Sequence, residues 1–177
     1  MKLTLQLLQT SLHDRQGFDC GLPAVNQFLS EQARRQMEQR INRTWVMVSD
    51  APMAGALKPV MGYFTLTQCT IRREQMPSLA MQRQFPRYPL PVIKLAWLGA
   101  ELAHQRGPLR VAETLLVEAL LMARQIVRRS GLGVAVIVNP LTQASSEFFA
   151  RYGFLQLQHG PDQVPILFLP TKTIEAL

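Results

Sequence analysis

The sequence predicts a mixed α/β fold, and three neighbouring stretches predict it. Val92 to Ala100 is an apolar, β-capable run. Ala112, Leu115, Leu116, Ala119, Leu120, Ala123, Ile126 and Val127 recur at 3.6-residue spacing and form the stripe of a long helix. Val134-Ala135-Val136-Ile137-Val138 is short and wholly apolar, as a buried strand is. Between the first strand and the helix lies Gln105-Arg106-Gly107-Pro108-Leu109-Arg110-Val111, a basic loop with a glycine. Free N–H groups at a helix start and the helix dipole both favour phosphate, so a strand feeding this loop is a candidate anion cradle.

The remaining elements follow in order. Leu3 to Leu7 alternates and reads as a first strand. Phe18-Asp19-Cys20-Gly21 is a turn, and Pro23 suits the first position of a helix carrying Val25, Phe28 and Leu29. A second, more polar helix is expected from about Glu31 to Arg40. Thr44 to Val48 is a strand, Ser49 to Pro59 a loop, and Val60 to Thr70 another strand with a bulge expected at Gly62. Ile71 to Pro91 is broken by four prolines and reads as a long excursion with short helical turns. Gly131 stops the long helix. Thr142 caps the next one, whose apolar face is Ala144, Phe148, Phe149 and Tyr152. Leu155 to Gln158 and Pro165 to Leu169 read as a closing strand pair around Gly160-Pro161-Asp162, and Thr171 to Leu177 as a final helical turn.

Composition bounds the function. At 177 residues, 47% hydrophobic and 18% charged, the chain is expected to form one globular domain over residues 1–177. No apolar run approaches the roughly 20 residues of a membrane span. Met1 to Leu8 carries Thr4 and Gln6 and no small-residue cleavage site follows, so no signal peptide is read. Cys20 and Cys69 are too few for a disulfide framework or a four-thiolate zinc site, so a cytoplasmic setting is expected. His13, His104 and His159 are scattered in expected loops and suggest no metal. No Ser has the glycine pattern of a nucleophile elbow. The net charge of +7 rests on Arg, whose fork matches phosphate. Arg34, Arg35, Arg83 and Arg87 are the candidate RNA-binding residues; a plain solvated basic surface is the other reading of the charge.

Several motifs, in order, resemble one family. Phe18-Asp19-Cys20-Gly21, then Asn26, Phe28 and Leu29, look like the opening motif of the GNAT toxins of bacterial toxin–antitoxin pairs. Gly62-Tyr63-Phe64-Thr65-Leu66 resembles their third strand. Pro91 to Glu101 stands where they carry the strand that pairs with acetyl-coenzyme A. Phe148 to Phe154 is similar to their F-Y-x-x-x-G-F segment, and Leu169 to Glu175 to the tail of some members. The resemblance implies a GNAT acyl-CoA N-acyltransferase fold: a mostly antiparallel sheet, flanked by helices and split by a V-shaped opening between Leu95–Gly99 and Val134–Val138. It implies transfer of acetyl from acetyl-coenzyme A to the α-amine of aminoacyl-tRNA, which blocks translation. It also implies a ribbon-helix-helix antitoxin as partner; a homodimer stays open, and no metal or membrane is expected. The implied cofactor contacts are Leu98, Gly99, Ala100, Gln105, Arg106, Gly107, Arg110, Val111, Ala112, Asn139 and Ser146.

Two positions depart from the family pattern. Its loop is usually Q-x-x-G-x-G/A, and a gap-free fit puts Pro108 at the first Gly and Arg110 at the second. Pro108 removes an N–H donor, and Arg110 can meet a phosphate with its side chain instead. The family's general acid is a Tyr four residues before the Gly of the final G-F; here that position is Phe149, which has no proton to give. Phe149 reads as a core aromatic, as a replaced acid, or as the mark of an altered enzyme. Tyr152 lies on nearly the same helix face and is a poor substitute. Glu101 stands where some acetyltransferases keep a base. An enzyme acting on a protein N-terminus or a small amine, and a non-catalytic GNAT-fold binding module, remain open alternatives.

Overall fold

A computed structural model of the chain describes residues 2–50, 55–159 and 163–177. Along the chain the elements are β1 (Leu3–Leu7), β2 (His13–Asp14), α1 (Pro23–Gln27), a π-turn (Phe28–Gln32), α2 (Ala33–Glu38), β3 (Asn42–Ser49) and β4 (Lys58–Ile71). Then come a 3₁₀ turn (Arg73–Gln75), α3 (Leu79–Gln82), β5 (Leu90–Ala100), a second 3₁₀ turn (Leu102–His104) and α4 (Val111–Ser130). The chain closes with β6 (Ala135–Val138), α5 (Gln143–Arg151), β7 (Leu155–Gln156), β8 (Leu167–Pro170) and α6 (Thr171–Glu175). It is a mixed α/β fold, and its antiparallel pairings outnumber its parallel ones among the described residues. The chain forms two compact units, Met1–Thr67 with Ala96–Ala119, and Gln68–Leu95 with Leu120–Leu177.

In the first unit the sheet order is β1-β3-β4-β5, with β2 paired to β4. Pro23 starts α1 at its first turn, where its missing N–H costs nothing. The two helices expected here are one helical stretch with a π-turn inserted. Arg15 donates from its guanidinium to Ser30 O at 2.8 Å, satisfying a carbonyl that the wide turn exposes. The turn brings Phe28 into the core, stacked on Trp97 at 4.8 Å and on Tyr63 at 6.3 Å. Tyr63 is wholly buried, and its hydroxyl donates to Val25 O at 2.7 Å, so burial pushes its pKa upward. The expected bulge is present one residue early: Met47 pairs Gly62 and Val48 pairs Val60, which leaves Met61 as the extra residue. Gly62 itself is a contact glycine. A Cβ there would lie 2.6 Å from a Leu115 methyl and 3.0 Å from Gly99 O.

His13 is not in a loop. It is buried in β2 opposite Lys58, its Nδ1 accepts from Gln9 N–H at 3.0 Å, and its Nε2 is 2.9 Å from Gln6 Oε1. An Nδ1 acceptor leaves Nε2 as the donor, which is a neutral imidazole. Isolated two-residue strands carry no readable periodicity, and β2 exists because of this pairing.

In the second unit the order is β4-β5-β6-β8-β7. β5 and β6 run parallel, and their pairs are Ile93–Val136, Lys94–Ile137 and Leu95–Val138. β6 stops at Val138, whereas β5 continues past its last β6 pair to Ala100. The core gathers Ile71, Met76, Leu90, Val92, Ile137 and Phe168. Thr142 caps α5 by accepting from Ser145 N at 3.0 Å. Of the expected apolar face of α5 only Phe149 is buried; Phe148 and Tyr152 are half-buried and Ala144 is exposed. The closing pair is present but short, with Leu155 opposite Phe168. The Gly160-Pro161-Asp162 turn, and residues 51–54 of the Ser49–Pro59 loop, lie outside the described residues. Among the described residues no helix is long and apolar enough to cross a membrane.

Candidate active site

The first unit carries the strand end and the basic loop. Leu98 is half-buried; Gly99 and Ala100 are buried. Gly99 is needed for close packing, because a Cβ there would sit 2.8 Å from a Val25 methyl. Glu101 N–H donates to Met61 O at 2.9 Å, which fixes the end of β5 against β4. The Glu101 carboxylate lies 3.4 Å from His104 Nε2. Gln105 does not reach outward with its amide. Its Nε2 donates to Cys20 O at 2.8 Å and Ala100 O at 2.9 Å.

From Gly107 to Arg110 the loop is a β-turn closed by Arg110 N–H on Gly107 O at 3.3 Å. Pro108 takes the second turn position, where its fixed φ is favourable. Gly107 is exposed, and a Cβ there would meet nothing within 4 Å, so no steric demand explains it. Arg110 is the informative residue. Its φ is 44°, a left-handed conformation that glycine adopts freely and Arg adopts at about 1–2 kcal/mol. The backbone at the second glycine position of the motif is thus glycine-like although the side chain is not. Arg110 O accepts from Thr114 N at 3.0 Å and starts α4, whose first-turn N–H groups belong to buried Val111, half-buried Ala112 and Glu113. The guanidinium is exposed, 3.5 Å from the Glu113 carboxylate, and Arg106 is exposed beside it.

The second unit carries the other candidates. Phe149 is 4% exposed, with its ring 5.3 Å from Phe148 and 5.4 Å from Phe154. Tyr152 is half-buried, 5.2 Å from Phe148. Asn139 donates its amide to Pro165 O at 3.1 Å, and Ser146 N–H donates to Thr142 O at 3.0 Å. Asn139 thus ties the end of β6 to the segment before β8, and Ser146 lies in the first turn of α5. Arg34 and Arg35 are exposed on α2 in the first unit, and Arg34 lies 3.6 Å from Glu38. Arg83 and Arg87 are exposed in the second, in the excursion after β4. Among the described residues no cluster of His, Cys, Asp and Glu could hold a metal ion.

Sequence reasoning missed the roles of Arg15 and His13: Arg15 reaches the Ser30 carbonyl across a turn, and His13 is buried through the pairing of β2 with Lys58. The Asp19–Asn26 pair was nearer to hand. Asp19 Oδ1 accepts from Gly21 N and Asn26 Nδ2, each at 2.8 Å, and Asn26 Oδ1 accepts from Cys20 N at 2.9 Å. These bonds hold the Asp19 carboxyl below its usual range. A short polar residue just before a proline-started helix was the available signal.

No protein-family model matches the chain. A mutant of KacT with Phe in place of a Tyr superposes with a TM-score of 0.87 at 29% identity, covering 99% of each chain. AtaT complexed with acetyl-methionyl-tRNAfMet superposes at 0.85 and 28%, covering 99% of this chain and 98% of that one. The chain is a GNAT-fold protein resembling the toxins of toxin–antitoxin pairs. A curated relative, "Probable toxin TacT" of Sinorhizobium fredii, is 23% identical over 180 residues, 99% of this chain and 95% of the relative.

Proposed function

We propose that this protein is an acetyl-coenzyme A-dependent N-acetyltransferase of the toxin kind, acting in the cytoplasm on the α-amine of aminoacyl-tRNA and thereby blocking translation. The full-length likeness to AtaT in complex with acetyl-methionyl-tRNAfMet carries this reading. AtaTR has been solved bound with acetyl-coenzyme A, and AtaT bound to the C-terminus of the antitoxin AtaR. A neighbouring antitoxin is therefore the expected protein partner.

The residues of the loop fit the cofactor. Arg110 already holds the backbone conformation that a close phosphate approach needs, and the first-turn N–H groups of α4 supply fixed donors. Arg106 and Arg110 add charge where Pro108 removes an N–H. Coenzyme A, when bound, supplies a thioester whose carbonyl carbon accepts the amine. The backbone of Leu98, Gly99 and Ala100 is the edge along which its pantetheine arm would lie, as an added strand does. Phe149 gives no proton, so the departing thiolate is not reprotonated by this side chain.

The test is transfer of labelled acetyl from acetyl-coenzyme A to charged tRNA, with uncharged tRNA as control. Acetylated aminoacyl-tRNA supports the reading, and labelling of peptide amines instead would reassign the acceptor. A second reading rests on Phe149 alone: a GNAT-fold binding protein that retains the cofactor and transfers nothing. Calorimetric binding of acetyl-coenzyme A without turnover would establish it.

A further inference from the structure

We infer that Gln105 is a positioning residue that couples the cofactor loop to the Phe18–Gly21 turn; this deepens the acetyltransferase reading and rests on it. The Gln105 side-chain nitrogen is 2.8 Å from Cys20 O and 2.9 Å from Ala100 O. Two carbonyl acceptors fix which end of the amide is nitrogen. Both N–H groups are thereby committed to backbone. Gln105 serves the cofactor through what it holds and not as a phosphate donor.

What it holds is specific. Ala100 is the last residue of β5, along which the pantetheine arm would lie. Cys20 belongs to the turn that leads into α1. That turn moves as one body, because Asp19 accepts from Gly21 and Asn26 while Asn26 accepts from Cys20. A second bond, Leu102 N–H to Asp19 O at 2.9 Å, runs parallel to the first. The turn also packs where Gly99 leaves space: a Cβ at Gly99 would lie 3.5 Å from Cys20 Sγ. One amide thus joins the phosphate loop, the acyl-bearing strand and the start of α1. Engagement of the loop by cofactor therefore stiffens the turn.

The test uses the full chain with Cys69→Ser as background, leaving Cys20 as its only thiol. Cys20 is buried, and burial raises its thiol pKa, so alkylation should be slow. Gln105→Met keeps the length and removes both donors. It is expected to speed alkylation of Cys20 by roughly tenfold, the size of two lost hydrogen bonds after partial relaxation. Acetyl-coenzyme A should slow alkylation in the background chain and have no such effect in Gln105→Met. Gln105→Arg, which keeps donors at this reach, should restore both behaviours. Unchanged alkylation, or cofactor that binds without protecting Cys20, would overturn the coupling. Binding and protection without any transfer to tRNA would sustain the coupling and sink only the acceptor reading. No cofactor binding at all would end both. Should Gln105→Met fail to fold, Gln105→Glu, which sets carboxylate oxygens against the same two carbonyls, gives the same comparison with the opposite electrostatics.

Discussion

At the scale of the residue, two positions decide how the family chemistry is to be read here. Phe149 sits in an aromatic cluster and lacks a proton. Phe149→Tyr is expected to raise acetyl transfer, since general acid catalysis contributes about a hundred- to ten-thousand-fold. The new hydroxyl needs a partner, and an unpaired buried one costs about 1–3 kcal/mol. A variant that loses thermal stability and gains no rate would make Phe149 a packing residue. Arg110 poses the opposite case, a strained backbone kept for its side chain. Arg110→Gly should stabilise the fold by up to about 1 kcal/mol by releasing the left-handed strain. Its acetyl-coenzyme A affinity should nonetheless fall, because the guanidinium is lost; denaturant midpoints and calorimetry read the two effects separately. The exposed ion pair to Glu113 contributes little to either. His13 supplies a pH dependence. Burial, then the nearby Lys58 charge, holds its folded-state pKa below the ordinary 6.5. The unfolded chain therefore binds the proton more readily, and stability rises with pH across this window. Stability should be intact above the ordinary value and decline as pH falls through it towards the folded-state one. Urea midpoints from about pH 7 to about pH 5 should slope in the parent and flatten in His13→Gln.

At the scale of the element, legibility tracked how local the cause was. β1 matches its expected bounds at Leu3–Leu7 because alternation over five residues is a local signal. The long helix and its Gly131 stop were legible for the same reason. The π-turn at Phe28–Gln32 was not, since it depends on Arg15 reaching carbonyls from outside the helix. Periodicity puts Ala144 on the same face of α5 as Phe149, but of that face only Phe149 is fully buried. In the candidate site the loop's place was legible, and Arg110 was recognisable as a glycine substitute. The inward commitment of Gln105 was hidden, because its partner Cys20 is 85 residues away. Gly62 shows an element held by an absence. Gly62→Ala would drive a Cβ into Leu115, Val111 and the carbonyl of Gly99, displacing the start of α4 from β4. We expect a loss of about 1–3 kcal/mol, the usual range for overpacking. Weaker acetyl-coenzyme A binding should accompany it, since the loop moves with the helix; a thermal melt with calorimetry checks both.

At the scale of the molecule the dominant quantity is charge. The chain carries +7, and its arginines are mostly solvent-exposed. Each compact unit presents a pair, Arg34 with Arg35 on α2 and Arg83 with Arg87 after α3. Among the described residues only Arg34 of these four faces a carboxylate, that of Glu38 at 3.6 Å and well exposed, so little competes with phosphate for them. An acceptor recognised through phosphates releases counterions on binding, and log affinity then falls linearly with log salt. Four engaged contacts would weaken tRNA binding by about a hundredfold between roughly 50 and 200 mM salt. Replacing Arg34, Arg35, Arg83 and Arg87 together by Ala should flatten that dependence and leave the Kd for acetyl-coenzyme A nearly unchanged. The same filter-binding series separates the acceptor classes. A peptide or small amine makes few phosphate contacts, so its KM would be almost insensitive to salt. A tRNA affinity that ignores salt, or a quadruple variant with the parent's slope, would show that these arginines are a solvated surface and would move the acceptor elsewhere on the protein.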